Sequence, residues 1–137
     1  MHKNFLFHFI VFGCLGWIIE CIWTGIQSIL AGNLSMLCKT SLWMFPIYGL
    51  TALFVPLCQR LQHIPIFLRG LLYMCIIFFV EYCTGSFLRH FQIYPWQYTN
   101  TKYQIQGVIR LDYAPLWFSL GLCFEFVSNY LHQHKSL

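Results

Sequence analysis

The chain has 137 residues, of which 58% are hydrophobic, 20% are aromatic and only 9% are charged, and its formal net charge is +4. A soluble domain carries about 25% charged residues, so this composition excludes a soluble protein and indicates that lipid covers much of the surface. The eight lysines and arginines are scattered, which excludes the basic patch of a nucleic-acid-binding protein. We expect a single domain, residues 1–137, whose first partner is the lipid bilayer.

The first apolar run, 5–30, is long enough to cross a bilayer and predicts a retained transmembrane helix. Its small and polar residues recur every three or four positions, which places them on one helix face. That face consists of Gly13, Gly16, Trp17, Glu20, Thr24 and Gln27. Because the other faces are aliphatic or aromatic, we expect this face to pack against protein rather than lipid.

The second apolar run, 41–58, is interrupted by Pro46, Gly49 and Pro56. Proline has no N–H to donate, so a helix here loses the hydrogen bonds to the carbonyls of Leu42 and Ala52. Those carbonyls need other donors within lipid, which predicts a broken second span that faces protein or a cavity.

The third predicted span, 66–88, contains Glu81 in its second half. Glu81, Gly85 and Arg89 follow at four-residue intervals, so they lie on one helix face. The fourth predicted span is 113–131. The predicted fold is an all-α integral membrane protein with four transmembrane helices, of which the second is broken.

Residues 91–112 are too polar to span, and the rings of Trp96 and Tyr98 are typical of the bilayer interface. We expect an interfacial or re-entrant segment between helices 3 and 4, in which Gly107 permits a tight turn. Two interpretations of this segment are open. It is either an interfacial anchor or a lid whose rings and Arg110 cover the polar interior and bind a lipid phosphate or an anion.

Three predicted spans each contain one glutamate: Glu20, Glu81 and Glu125. An ionised side chain near the bilayer centre costs about 2.5–3.5 kcal/mol, so these residues should point inward and be compensated. Arg89 and Arg110 are the counter-charges that we consider. Either pairs such as Glu81 with Arg89 and Glu20 with Arg110 only stabilise the bundle, or one carboxylate binds a cation, a proton or a substrate headgroup.

No motif in the sequence indicates a disulfide framework, a metal site, a nucleotide site or a familiar catalytic site. None of the seven cysteines forms a CxxC pair, and most lie in apolar runs, where cysteine packs as a small hydrophobic residue. No His/Cys spacing suits a metal, so we expect neither metal nor cofactor. The chain has no GxxxxGK motif and no G-x-S-x-G or HExxH motif, so we expect no bound nucleotide and have no positive indication of an enzyme.

The predicted orientation of the protein in the membrane depends on which lysines and arginines are counted. Four lie on the side of the termini (Lys3, Arg60, Arg69 and Lys135), and four lie in the other two loops (Lys39, Arg89, Lys102 and Arg110). If Arg89 and Arg110 belong to a buried site, the bias places both termini in the cytoplasm. If they are counted, the balance is even and permits insertion in both orientations.

Several blocks in register resemble one family. They are GWIIE at 16–20, FPIYG at 45–49, VEYCTGSFLRHF at 80–91, PWQYTN at 95–100 and QGVIRLDYAPLWF at 106–118. In this order they resemble the CmpB group of bacterial ABC-type permeases and the transmembrane protein 229 family of animals. The resemblance implies a multi-pass protein of the bacterial cytoplasmic (inner) membrane. The positions that match are Glu20, Pro46, Tyr48, Gly49, Glu81, Gly85, Trp96, Tyr98 and Gly107.

The function that these observations favour is a small transporter or permease-like subunit that works as a homo-oligomer or within a larger membrane complex. Its predicted substrate or ion site consists of Glu20, Tyr48, Glu81, Arg89, Trp96, Tyr98 and Arg110. One alternative is a membrane-embedded enzyme acting on a lipid headgroup, with Glu81 or Glu20 as general acid/base and Arg89 or Arg110 holding the phosphate. A non-catalytic scaffold or accessory subunit is the other.

Overall fold

The computed structural model describes residues 2–98 and 100–134. Lys135, one of the cations in the orientation count, lies outside the described residues. The chain is mostly helical and divides into two compact units, Met1–Phe54 and Val55–Leu137. The first unit contains helix α1 (His2–Leu30), helix α2 (Met44–Gly49) and a 3-10 helix (Leu50–Phe54).

Helix α1 ends in a Schellman motif. The N–H of Asn33 donates to Ser28 O at 3.0 Å, and the N–H of Gly32 donates to Ile29 O at 2.8 Å. Gly32 has φ +88°, a left-handed conformation that glycine adopts without steric cost. The chain therefore reverses direction directly after α1.

The small and polar face of α1 packs against protein, as predicted. Gly16 lies directly under the Tyr48 ring of α2, where a Cβ atom would overlap the ring. The Trp17 indole N–H donates to Ser41 O at 3.0 Å. This prediction from helical periodicity is confirmed within the first unit.

The second unit contains a longer series of elements. In chain order they are α3 (Val55–Arg60), a 3-10 helix (Leu61–His63), α4 (Ile66–His90), β1 (Gln104–Ile105), β2 (Ile109–Arg110), a 3-10 helix (Leu111–Tyr113) and α5 (Ala114–His134). Helices α4 and α5 pack closely because glycines replace larger side chains at their contact. Gly70 of α4 lies under the Phe118 ring, and Gly121 of α5 lies against Tyr73.

Helix α4 also ends in a Schellman motif, with Gln92 at φ 60° in the position that glycine usually occupies. The chain then forms a small antiparallel sheet in which Gln104 pairs with Arg110 and Ile105 pairs with Ile109. Residues 106–108 connect the strands, and the Val108 N–H donates to Ile105 O at 3.0 Å. Gln106 and Gly107 have φ 53° and 67°, the two positive values of a type I′ turn. An all-α prediction omits this hairpin.

Within the described residues, three stretches are long and apolar enough to cross a membrane: Asn4–Leu30, Met44–His63 and Ile66–His90. They correspond to the first three predicted spans. The second stretch, Met44–His63, contains α2, the 3-10 helix Leu50–Phe54, α3 and the 3-10 helix Leu61–His63. The fourth predicted span corresponds to helix α5, which is not among these three stretches.

Candidate functional site

The candidate site lies on the face of helix α4 that carries Glu81, Gly85 and Arg89. We call the segment that covers this face the lid; it consists of residues 93–98 and 100–113. The Tyr98 hydroxyl of the lid donates a 3.2 Å hydrogen bond to Glu81 Oε1. A Cβ atom on Gly85 would lie 2.5 Å from Val108 Cγ1. The absence of a side chain at Gly85 therefore lets the lid lie directly on the helix.

The two oxygens of the Glu81 carboxyl group differ in their surroundings. Oε1 accepts the hydrogen bond from Tyr98, whereas Oε2 is buried and has no hydrogen-bond partner among the described residues. The Trp117 indole of helix α5 is the other polar neighbour of this carboxyl group. Its buried Nε1 is also without a hydrogen-bond partner in the described chain. The indole and the carboxyl group are therefore neighbours that do not form a hydrogen bond with each other.

Three aromatic rings form a connected set beside this carboxyl group. The centroids of Tyr98 and Tyr113 are 5.7 Å apart with their planes at 83°, and those of Tyr113 and Trp117 are 5.8 Å apart at 88°. Such edge-to-face contacts are the favourable arrangement for aromatic pairs. The Trp96 indole N–H donates to Val108 O at 3.0 Å, which holds the start of the lid to its hairpin.

Arg89 attaches the hairpin turn to helix α4. Its Nη1 donates to Gln106 O and its Nη2 donates to Gly107 O, each at 2.6 Å. The Tyr82 hydroxyl adds a 3.1 Å hydrogen bond to Gln106 Oε1. Arg89 therefore does not form the ion pair with Glu81 that one of the two open interpretations contains, because this guanidinium group binds two carbonyls of the turn.

Arg110 is engaged at the other end of the lid. Its Nε donates to both Asp112 oxygens, at 2.8 and 3.0 Å, and Nη1 donates to the Tyr113 hydroxyl at 3.1 Å. Its guanidinium carbon also lies 4.5 Å from the centre of the Tyr113 ring. The hydrogen bond from Arg110 holds the pKa of Asp112 below its usual value, and the same bond raises the pKa of Arg110.

The partner of Glu125 was not predicted from the sequence. Arg69 forms a bidentate ion pair with this carboxylate, with Nε 3.1 Å from Oε2 and Nη2 3.1 Å from Oε1. The counter-charge of Glu125 is therefore Arg69, which is neither of the two arginines considered from the sequence. The antiparallel order of α4 and α5 was a usable signal, because it brings the start of one helix beside the end of the other. The buried hydroxyls of Tyr73 and Ser128 have no hydrogen-bond partner in the described chain.

Glu20 and Tyr48 belong to the first unit. Glu20 Oε2 accepts a 2.7 Å hydrogen bond from Thr40 Oγ1, and Tyr48 packs over Gly16. Gly49 lies under the Phe9 ring, with the ring 2.8 Å from the place of a Cβ atom. Glycine therefore permits the close contact of α1 and α2.

In the second unit, the predicted site residues fall into two connected groups. Glu81, Tyr98 and Arg110 are linked through the rings of Tyr113 and Trp117. The other group, which fastens the lid to α4, contains Arg89, Trp96, Gly85 and Gly107. Among the described residues, no three histidine, cysteine, aspartate or glutamate side chains are placed to hold a metal ion.

The three apolar stretches of membrane-crossing length among the described residues indicate a membrane protein. The chain belongs to the family described as putative ABC-transporter type IV, whose model matches residues 7–136. The resemblance to the CmpB group is thereby confirmed, and the apolar helices fit a transporter-like membrane protein. No solved structure matches the chain.

Proposed function

We propose that this protein is a permease-like membrane subunit in which Glu81 binds and releases a proton during transport. The observation that carries the proposal is the uncompensated Glu81 carboxyl group under the lid. Among the described residues the ion pairs are Arg69 with Glu125 and Arg110 with Asp112, and neither includes Glu81. A carboxylate in a membrane span that lacks a counter-charge is expected to face a polar path or to take up a proton.

The chemistry of the surrounding groups favours a proton over a metal cation. The Tyr98 hydroxyl donates a hydrogen bond to Glu81, and the indole of Trp117 is a hydrogen-bond donor only. Hard cations such as Ca²⁺ need about six to eight oxygen ligands, and donor groups repel a cation. A proton needs only the buried Oε2, which has no other partner in the described chain.

The lid gives each neighbouring residue a separate role. Tyr98 orients the Glu81 carboxyl group. Trp96 binds the start of the lid to its own hairpin, and Arg89 binds the hairpin turn to α4. Gly85 lets the lid lie close to α4. Arg89 and Arg110 already bind protein acceptors. This favours transport over the alternative of a lipid-headgroup enzyme, in which one of these arginines would hold the phosphate.

The remaining architecture is part of the same proposal. We propose that α5 is the fourth transmembrane helix, that Pro46, Gly49 and Pro56 break the second span, and that both termini lie in the cytoplasm. Glu20 is proposed as a second acidic group on the transport path. Four helices from a single chain leave little room for a transport path between them, so we propose that the protein works as a homo-oligomer or with a larger membrane partner.

Infrared spectroscopy of the protein in lipid nanodiscs tests proton binding without a known substrate. A protonated carboxyl group absorbs separately from a carboxylate, so the wild type should gain a carboxylic acid band as the pH is lowered. Glu81→Gln should remove one component of this band, whereas Asp112→Asn, which alters an exposed carboxylate of the same unit, should keep that component. Identical carboxylic acid bands in the wild type and Glu81→Gln would contradict the proposal.

Transport itself is tested in proteoliposomes that contain a pH-sensitive dye. Tyr98→Phe should slow proton entry, because Glu81 loses the donor that orients it, while Tyr103→Phe at an exposed position of the lid should not. Size-exclusion chromatography of each variant shows whether the protein is still folded. If Glu81→Gln merely unfolds the protein, a scaffold role for this residue is the better explanation.

A further inference from the structure

The loop after helix α1 folds back along the helix. The Thr24 hydroxyl accepts a 2.9 Å hydrogen bond from the N–H of Lys39 and lies 3.2 Å from Lys39 O. One turn earlier on the helix, Glu20 Oε2 accepts the 2.7 Å hydrogen bond from Thr40. These contacts hold residues 38–40 against the turn of α1 that contains residues 20–25.

Two cysteines meet at this contact. Cys21 lies on α1 beside Glu20 and one turn before Gly25, and Cys38 precedes Lys39 in the loop. A Cβ atom on Gly25 would lie 3.9 Å from Cys38 Cβ, so Cys38 projects toward this face of the helix. Because residues four apart lie on one side of an α-helix, Cys21 shares the Gly25 face toward which Cys38 projects.

Both thiols are reduced, and their exposure differs: Cys38 is exposed and Cys21 is half-buried. The hydrogen bonds of Thr24 and Glu20 hold the backbone of residues 39 and 40 against α1. A small adjustment of the loop is then enough to bring the two cysteine Cβ atoms to the separation of about 3.5–4.5 Å that a disulfide needs. The exposed thiol is the one that an external reagent reaches first.

We propose that Cys21 and Cys38 form a reversible disulfide that fastens the loop to helix α1. The oxidant is a small-molecule disulfide. The Cys38 thiolate attacks one of its sulfurs and expels one small thiol, which leaves a mixed disulfide on Cys38. The Cys21 thiolate then attacks Cys38 Sγ and expels the second small thiol. One S–S bond is broken and one is formed, two electrons pass to the reagent, and the two cysteine protons end on the two released thiols.

The bond would close a ring of chain from residue 21 to residue 38 and keep Thr40 beside Glu20. The inference does not depend on proton binding at Glu81, which lies in the other unit. It gives a role to two of the seven cysteines, which the sequence alone treats as packing residues.

Peptide mapping of the full-length protein in nanodiscs tests the inference. The protein is treated with dipyridyl disulfide, an apolar reagent that enters the bilayer, and unreacted thiols are then blocked with a maleimide. Digestion and mass spectrometry should identify a peptide that joins Cys21 to Cys38, and a reductant should release it. Neither Cys21 nor Cys38 should carry a maleimide or a pyridyl group in the treated protein.

Two variants separate this bond from general thiol reactivity. Cys38→Ser should abolish the joined peptide, whereas Cys14→Ser, at an exposed position on the same helix, should leave it unchanged. The inference is overturned if Cys21 and Cys38 carry separate pyridyl adducts or separate maleimide groups in the treated wild type. It is equally overturned if either cysteine is joined to a different one.

Discussion

Replacing Arg69 with methionine should destabilise the second unit more than any loss of an exposed charge. The methionine keeps much of the apolar stem but removes both contacts to Glu125, whose side chain is only 7% exposed. Removing one partner of a buried ion pair costs about 3–5 kcal/mol, because the other charge remains buried and uncompensated. The carbonyls of Gln62 and Ile64, which also accept from Arg69, are in exposed residues and should bind water instead.

Glu125→Gln should cost less than Arg69→Met. The glutamine amide oxygen can still accept from Arg69, and Arg69 keeps its hydrogen bonds to Gln62 O (3.3 Å) and Ile64 O (2.7 Å). The loss is then one charge-assisted interaction, about 1.5–3 kcal/mol. The expected order of destabilisation is therefore Arg69→Met first and Glu125→Gln second.

The assay is unfolding of the detergent-solubilised protein by a denaturing surfactant, followed by tryptophan fluorescence. Arg60→Met is the matched control, because Arg60 is an exposed basic residue at the end of α3. It should change the free energy of unfolding by less than about 0.5 kcal/mol. Equal stability of Arg69→Met and Arg60→Met would refute the assignment of a buried, stabilising ion pair.

Two further predictions concern the lid. Gly85→Ala should destabilise by about 1–3 kcal/mol, because its Cβ would lie 2.5 Å from Val108 Cγ1 and would push the lid away. Gly25→Ala, a helical position whose nearest neighbour would be 3.5 Å away, should be neutral or slightly stabilising in the same unfolding assay; equal losses would contradict the close contact. The pKa of Asp112 is lowered by Arg110, so the contribution of this pair is present above the ordinary aspartate pKa of about 3.9 and is lost as the pH falls through the lower folded value. Asp112→Asn should therefore differ from the wild type in lid fluorescence at neutral pH and converge with it in acid; a difference that persists in acid would contradict this.

Helical periodicity was sufficient to predict local features. The spacing of Gly16, Trp17 and Glu20 predicted the face of α1 that packs against protein, because residues three and four apart lie on one side of any α-helix. The same rule put Glu81 and Arg89 on one face of α4. It did not predict their partners, because Tyr98 reaches Glu81 through an irregular segment without a repeat.

Without any coordinates, the amino-acid sequence indicates a membrane protein, locates its long apolar helices and identifies its family. These properties depend on composition, on the length of apolar runs and on ordered motifs, all of which are local. The partners of the charged residues follow from the three-dimensional packing alone: Arg69 with Glu125, Arg110 with Asp112, and Arg89 with two backbone carbonyls. Ion pairs between distant segments depend on how helices and loops are placed in space, and a list of charged residues permits many pairings of similar Coulomb energy.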